Sequence, residues 1–376
     1  MTARRRVVIT GIGSVSAAGC GGSALVADAL ARRTPTIAPV KAFALEGCPS
    51  RLAAEVDDAR LMSLLDPDAV RRLSRICRMA VAACRLAAED AGLEGGRGLG
   101  LTVGSEYGDF RSGAEFFNGF LRRGPAGLSP MIFPNTVMNS MAAVVAIAIG
   151  AKAPSITLNQ GTVAGDLAVA RAAALIAGGR ADAVIAGGVD EIFHDVYRGL
   201  AALGALSPMG GDGPEGCRPY APDHNGPVLG EGATFLVLEE METARRRGAS
   251  IHAEVLGSAW GGIPVAPHTA PIGRRDAHRT VRRALDQSGV EPASLGRCYG
   301  SGNGDPSLDD WEIQLLAADG IRDPVSLAPL FGQHGGLGGL RVAAGALDAR
   351  EGHGPTLVHG IARGGCRAAL VIGRAA

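Results

Sequence analysis

Ala153-Pro154-Ser155-Ile156-Thr157-Leu158-Asn159-Gln160-Gly161-Thr162-Val163-Ala164-Gly165 reads as a strand, a tight turn and the first turn of a helix. The strand is Ser155–Asn159. Small and apolar residues then continue over 163–176 and stop at Gly178-Gly179, the kind of glycine stop that ends helices. A side chain in the turn stands at a helix N-terminus, where the dipole favours developing negative charge. The turn supplies Gln160 and Thr162. A threonine hydroxyl attacks nothing without a neighbouring base, and its plainer role here is to cap the helix.

The same grammar extends both ways along the chain. Upstream, residues 6–14 read as a buried strand ending in glycines, 69–92 as a helix and 98–104 as a strand. In that helix Leu73, Cys77, Val81, Cys84 and Ala88 fall on one apolar face, which makes both cysteines core residues. Downstream, 183–188 and 235–238 are strands, and Arg245-Arg246-Arg247-Gly248 is a basic helix end. A second series opens with a strand over 252–256 and closes with one over 369–372. Strands apolar throughout and separated by helices predict an α/β fold with mostly parallel sheets. Each series begins with a strand that runs into glycine or serine. That places a boundary near Gly248 and divides the chain into halves 1–248 and 249–376.

Composition narrows the function. Lys+Arg and Asp+Glu both number 37, so no basic surplus points to nucleic acid. With 47% hydrophobic residues over 376 positions, a large packed core is expected. The apolar run 141–150 is too short to cross a bilayer, and the run 7–10 is only a strand long and makes a poor signal peptide. The seven cysteines are odd in number and repeat no metal-ligand spacing. Reduced thiols, a cytoplasmic location and no metal are therefore expected.

Three further tracts carry candidate chemistry. Gly11-Ile12-Gly13-Ser14-Val15-Ser16 imitates a dinucleotide turn, but the third glycine and the acidic second strand are missing, so a tight turn is the better reading. Gly300-Ser301-Gly302-Asn303-Gly304-Asp305-Pro306 is turn-rich, and Asp309 and Glu312 follow at a spacing suited to capping a helix or, less commonly, to acid/base work. Phe331-Gly332-Gln333-His334-Gly335-Gly336 is a glycine loop with one imidazole, a candidate base without an evident nucleophile.

Taken together, these tracts resemble the β-ketoacyl-acyl-carrier-protein synthases of the thiolase superfamily, over essentially the whole chain. Val7–Gly13 looks like the family's first strand, 153–156 like the strand leading to its nucleophile, and 181–188 like the strand after the nucleophile helix. Arg218-Pro219-Tyr220 with Gly226, then Val228-Leu229-Gly230-Glu231-Gly232-Ala233, is the most specific match. The resemblance implies a five-layered α-β-α-β-α fold with a sheet from each half, and no cofactor.

The departures from the family bear on activity. The family's elbow cysteine falls on Thr162, counting from Pro154. Its first histidine, which precedes Gly-Thr-x-Thr-Pro, falls on Ser301, and its second falls on Gln333, with the accompanying lysine on Ala328. A slip of one residue would put His334 in the second place. The family's Gly-Phe-Gly-Gly becomes Ala362-Arg363-Gly364-Gly365. Gln160, His334 and Arg363 are thus the expected polar lining of a degenerate pocket. Claisen condensation needs a thiolate to hold the acyl chain and imidazoles to bind the thioester carbonyl. A cysteine at a helix N-terminus can supply a thiolate near neutral pH, and a threonine cannot.

One group in the family fits this description: chain length factors, inactive homologues that dimerise with an active ketosynthase in type II polyketide synthases. They usually carry glutamine at the cysteine position, whereas here Gln160 lies two residues earlier. The resemblance implies a heterodimer with a catalytic ketosynthase, paired through the strand near 155–159, and an acyl carrier protein docking mainly on that partner. It also implies a tunnel gate. Phe110, Phe116, Phe117 and Phe120 fall within eleven residues, at spacings that give a helix two aromatic ridges, and Phe133 and Met138 follow closely. Ordinary core packing is the competing reading of those rings. Two other functions stay open: an acyltransferase or hydrolase using Thr162 or Ser301, and a stand-alone acyl-binding protein.

Overall fold

Val184 and Ala186 point to one side of their strand and Ala183 and Ile185 to the other, and both sides are buried against helices. That double burial organises the whole molecule. The computed structural model describes residues 5–96, 98–211, 213–273 and 278–376. Nine strands run along one hydrogen-bonded path: β1 (Val7–Ser16), β2 (Leu99–Ser105), β3 (Ser155–Asn159), β4 (Ala183–Asp190), β5 (Gly232–Glu240), β6 (Ala253–Gly262), β7 (Arg297–Tyr299), β8 (Thr356–Ile361) and β9 (Cys366–Gly373). Their spatial order is β7-β8-β9-β6-β1-β5-β4-β2-β3, and Gly19–Gly22 folds back antiparallel on β1.

The helices that matter for the layers are α1 (Arg75–Ala91), α2 (Phe110–Arg123), α3 (Ser140–Ala148), α4 (Ala164–Ala177), α5 (His194–Ala202), α6 (Arg279–Ser288), α7 (Pro306–Ala317) and α8 (Leu337–Glu351). α1 and α3 cover the outer face of β1–β5, through Ile76, Met79 and Met141 against Leu101, Ile185 and Phe235. The inner face, Val184, Ala186, Leu236 and Leu238, meets α4 and α8. The same two helices meet Val358, Leu370 and Ile372 of the second strand group. The far face of that group, Leu357, Ala369 and Val371, packs on α6 and on Leu316 of α7. The layers are therefore helix, sheet, helix, sheet, helix, the thiolase-like arrangement.

Two expectations need correction. The two sheets are not separate: Val8 and Ile9 pair with Glu254 and Ala253, so the path is continuous, although those two residue pairs make the whole join between β1 and β6. Nor are the strands mostly parallel. β2–β3, β2–β4 and β7–β8 are parallel, and every other pairing along the path is antiparallel. A strand buried on both faces is apolar throughout whichever way its neighbour runs, so composition carries no sense of direction.

The central layer is held by close backbone contact and one buried ion pair. A Cβ on Gly165 would lie 2.3 Å from the Gly335 carbonyl, and one on Gly338 would lie 2.3 Å from the Asp166 nitrogen, so glycine lets α4 and α8 cross in contact. Beside the crossing, Arg341 of α8 donates to Asp166 of α4 at 2.6 Å, with both side chains buried. The pseudo-dinucleotide turn has a similar explanation. Gly11 and Gly13 lie under α1, where a Cβ would meet the Ala87 and Ala83 carbonyls at 2.2 and 2.1 Å. These glycines serve strand–helix packing, not phosphate binding.

Candidate functional site

A cleft of about 670 Å³ opens where β2 and β3 end. Glu106 and Tyr107 follow β2, and Asn159 closes β3 with Gln160 next to it. The end of α5 and the following loop give an apolar wall of Leu200, Leu203, Leu206 and Met209, continued by Leu229. Asn303, Asp305, Leu308, His268 and Arg363 also line it, as do Thr162 and Gln333.

Asp190, at the end of β4, fixes the rim. Its buried carboxylate accepts from Ser105 Oγ at 2.6 Å, from the Glu106 and Tyr107 nitrogens at 3.1 Å and from the Gly335 nitrogen at 2.8 Å. Burial pushes its pKa up, against those hydrogen bonds. Burial, helped by the Asp190 charge, also pushes up the carboxyl of Glu106. Asn159 Nδ2 donates to the Ser105 and Glu106 carbonyls, closing the corner between β2 and β3.

Thr162 sits in the single turn Gly161–Val163 before α4. It does not cap that helix. Its Oγ1 donates to the Ile361 carbonyl at 2.8 Å, so the proton that a base would have to remove is already committed to the end of β8. Gln333 lines the cleft, and His334 lies behind it. His334 is buried, its Nδ1 accepts from the Gly336 nitrogen at 3.1 Å, and burial pushes its pKa down to about 3, which leaves the imidazole neutral. Of the three polar residues expected to line the pocket, Gln160 and Arg363 do so and His334 does not. Of residues 333 and 334, the glutamine is the one that lines the cleft.

Ser301 does not line the cleft either. It is buried beside Glu312 of α7, which accepts from the Ser301 nitrogen at 3.0 Å, from Tyr220 OH at 2.6 Å and from His359 Nδ1 at 2.7 Å. Ser301 Oγ in turn accepts from the Ile361 nitrogen at 2.9 Å. Burial opposes the charge on Glu312, but the His359 contact leads a set of hydrogen bonds that hold its pKa below the usual value. Asp309 similarly accepts from the Tyr220 and Asn303 nitrogens. The helix cap is Asp305, which accepts from Ser307 N. Asp309 and Glu312 are thus neither caps nor an acid/base pair; they pin the 300–305 loop to α7.

Arg363 forms a bidentate pair with Asp305, at 2.8 Å from Nε and 2.5 Å from a terminal nitrogen, and also donates to the His268 carbonyl. Among the described residues, His268 is the sole imidazole lining the cleft, and its residue is exposed at the rim.

The aromatic ridges lie elsewhere. None of Phe110, Phe116, Phe117, Phe120, Phe133 and Met138 lines this cleft. Nor are they core. Phe117 is 64% exposed, Phe110, Phe120, Phe133 and Met138 are exposed, and Phe116 is partly buried between Phe117 and Phe133 at ring distances of 6.0 and 5.7 Å. The packing of Met138 against Gly108 brings this apolar face close to the cleft residue Tyr107. β3 borders the same side of the sheet as an edge strand, paired only with β2 among the described residues.

Sequence reading missed Glu106 and the α5 wall, and it read the tract holding Asn303 and Asp305 as a turn. Glu106 had a readable signal, since ligand sites in α/β sheets gather where parallel strands end. The α5 wall had none, because its position depends on a chain reversal that no local pattern specifies.

A thiolase-like fold with a cleft beside the elbow turn defines the class of ketosynthase-like proteins. The N-terminal domain of β-ketoacyl synthases matches residues 4–244, and the chain belongs to the β-ketoacyl synthase family. It is 32% identical, over 92% of its length and 85% of the relative, to 3-oxoacyl-[acyl-carrier-protein] synthase 2 of Rhizobium meliloti. It is 33% identical, over 91% of its length and 85% of the relative, to the granaticin polyketide putative beta-ketoacyl synthase 1 of Streptomyces violaceoruber. Among solved structures, the ishigamide ketosynthase/chain length factor aligns over all of both chains with a TM-score of 0.89 and 27% identity. No described helix is long and apolar enough to cross a membrane.

Proposed function

We propose that this chain is a chain length factor: a non-catalytic subunit, built of halves 1–248 and 249–376, that pairs with an active ketosynthase and shapes the tunnel receiving the growing polyketide or polyene chain. The observation that carries the proposal is the state of the elbow. Thr162 falls where the resemblance places the family's nucleophile, its hydroxyl is bound to the Ile361 carbonyl, and Gln333 falls where the resemblance places the second histidine. Sequence relatives named as synthases favour a catalytic role, but a threonine without a base cannot perform their thiolate chemistry. The exposed aromatic face on α2 and the open edge of β3 support pairing with a second chain, since a contiguous apolar face is a usual mark of an interface. The structural relative named as a ketosynthase/chain length factor supports the same choice of partner. In this arrangement an acyl carrier protein docks mainly on the ketosynthase, and the pair works in the cytoplasm.

The acyltransferase or hydrolase reading is less well supported. Neither Thr162 Oγ1 nor Ser301 Oγ hydrogen-bonds to an imidazole among the described residues, and Ser301 stands off the cleft. The proposal is tested by co-expressing Phe116→Ala and Phe120→Ala variants with any ketosynthase encoded beside this chain and comparing product lengths. Longer products from intact heterodimers are expected. Unchanged lengths in both variants would remove these rings as the gate, and failure of the wild-type chain to join any ketosynthase would remove the function.

A further inference from the structure

A second cavity, of about 420 Å³, shares no residue with the cleft. It is lined from the helix Ser23–Arg32, from β7, from residues 325–330 and from α8. Leu327 and Leu347 are buried there and Leu30 and Leu330 half-buried, so much of the lining is apolar. One cation is fixed beside these leucines. Arg297 donates from Nη1 to the two carboxylate oxygens of Asp348 at 2.9 and 3.0 Å and to Tyr299 OH at 3.1 Å. Tyr299 OH in turn donates to Asp348 at 2.9 Å, and both of these residues are buried. A single guanidinium nitrogen therefore makes every bond that holds Arg297. Its Nε and Nη2 have no hydrogen-bond partner among the described residues, and they are not sealed from solvent, on a side chain that is 34% exposed.

That free edge restricts the occupant. Nε–H and Nη2–H form the planar fork that matches the two oxygens of a carboxylate. The charged lining is balanced by count, Arg33 and Arg297 against Asp348 and Glu351. It is not balanced in place. Asp348 is committed to Arg297 and Tyr299, and Glu351 is exposed to water 3.6 Å from His353 Nδ1, whereas the Arg297 fork is met by nothing in the protein. An alcohol would accept from one of the two donors only. An ammonium would face two like charges, and a phosphate dianion would set a second negative charge close to Asp348. A carboxylate fills the fork with one charge, and an apolar tail suits the leucines. We propose that this cavity binds an aliphatic carboxylate, with Arg297 holding the head group and the leucines the chain. The site is independent of the partner reading, because it lies within one chain and apart from both the cleft and the aromatic face.

The test uses the purified chain and three probes of equal chain length, octanoate, octanol and octylamine, in calorimetric titrations at neutral pH and low salt. Octanoate is expected to bind at least about tenfold more tightly than octanol, the gain from hydrogen bonds to a charged group, and octylamine more weakly than either. Arg297→Lys keeps the positive charge beside Asp348 but has no fork, and should remove most of the preference for octanoate. Ala27→Phe puts a ring into the cavity without touching the Arg297–Asp348 pair, and should abolish octanoate binding. Four results would overturn the inference: equal binding of octanoate and octanol by the wild-type chain, tighter binding of octylamine, no binding of octanoate, which would leave the Arg297 edge to water, or unchanged octanoate binding by Ala27→Phe, which would place the ligand elsewhere. The wild-type comparisons stand whether or not either variant folds. None of these measurements depends on heterodimer formation, so failure here is distinguishable from failure of the proposed function.

Discussion

Replacing Phe117 by alanine separates folding from association. With 64% of this residue exposed in the single chain, and a phenylalanine offering about 200 Å² for burial, roughly 130 Å² stays available to a partner. At about 25 cal/mol per Å² this area is worth about 3 kcal/mol on association, of which alanine keeps a small part. A loss of about 2–3 kcal/mol weakens the heterodimer by roughly 30- to 150-fold. Within the chain the ring contributes chiefly its edge contact with Phe116, about 0.5–1.5 kcal/mol, so the variant should fold and melt close to wild type. The assay is a titration of tagged ketosynthase against labelled wild-type and Phe117→Ala chains, beside denaturant melts of each chain alone. An unchanged dissociation constant with an intact fold would refute the interface assignment. A loss of about 3 kcal/mol or more in the melts, the cost typical of emptying a core position, would show that the ring belongs to the core.

Other consequences concern the interior. Asp166→Ala leaves the Arg341 guanidinium buried without its carboxylate, and should cost about 3–5 kcal/mol in denaturant melts, whereas replacing both residues by well-packed apolar ones should cost little. Burial raises the Glu191 carboxyl from 4.5 to about 7, even though Arg111 holds it at 3.2 Å. A folded-state value above the unfolded one means the native chain holds the extra proton. The associated stability is present in full below pH 4.5 and is lost as pH rises through 7, by an amount on the order of 3 kcal/mol. Melts at pH 5.5 and 8 should show lower stability at pH 8, and Glu191→Gln should flatten the difference.

The strands of this fold were legible because double burial leaves an unbroken apolar run. Ser155–Asn159 is found where it was read, β2 is shifted by one residue from the expected 98–104, and β4 and β9 extend the expected runs by only a few residues. Their directions were not legible, since an apolar run looks the same beside a parallel or an antiparallel neighbour. The helix expected over 69–92 begins only at Arg75, because Pro67–Val70 form a separate short helix first. In the aromatic segment the helix was readable, but its surroundings were not: rings at i, i+4 and i+7 have the same period whether they face a core or a partner chain. At the cleft, Thr162 and Gln333 were singled out by the family resemblance, anchored on Pro154 and on Gly332, Gly336 and Gly339. The direction of the Thr162 hydroxyl depends on the end of β8, about two hundred residues later, and the Asp305–Arg363 pair joins two loops that only the tertiary fold brings together.

The central claim is that this chain keeps the ketosynthase fold without its acyl-transfer chemistry, and intact-mass spectrometry tests it most directly. The chain, its ketosynthase and their heterodimer are each incubated with an acyl-carrier-protein thioester and weighed. An acyl adduct is expected on the ketosynthase, alone or paired, and an unmodified mass for this chain in every sample. An adduct mapped to Thr162 or Ser301 would contradict it.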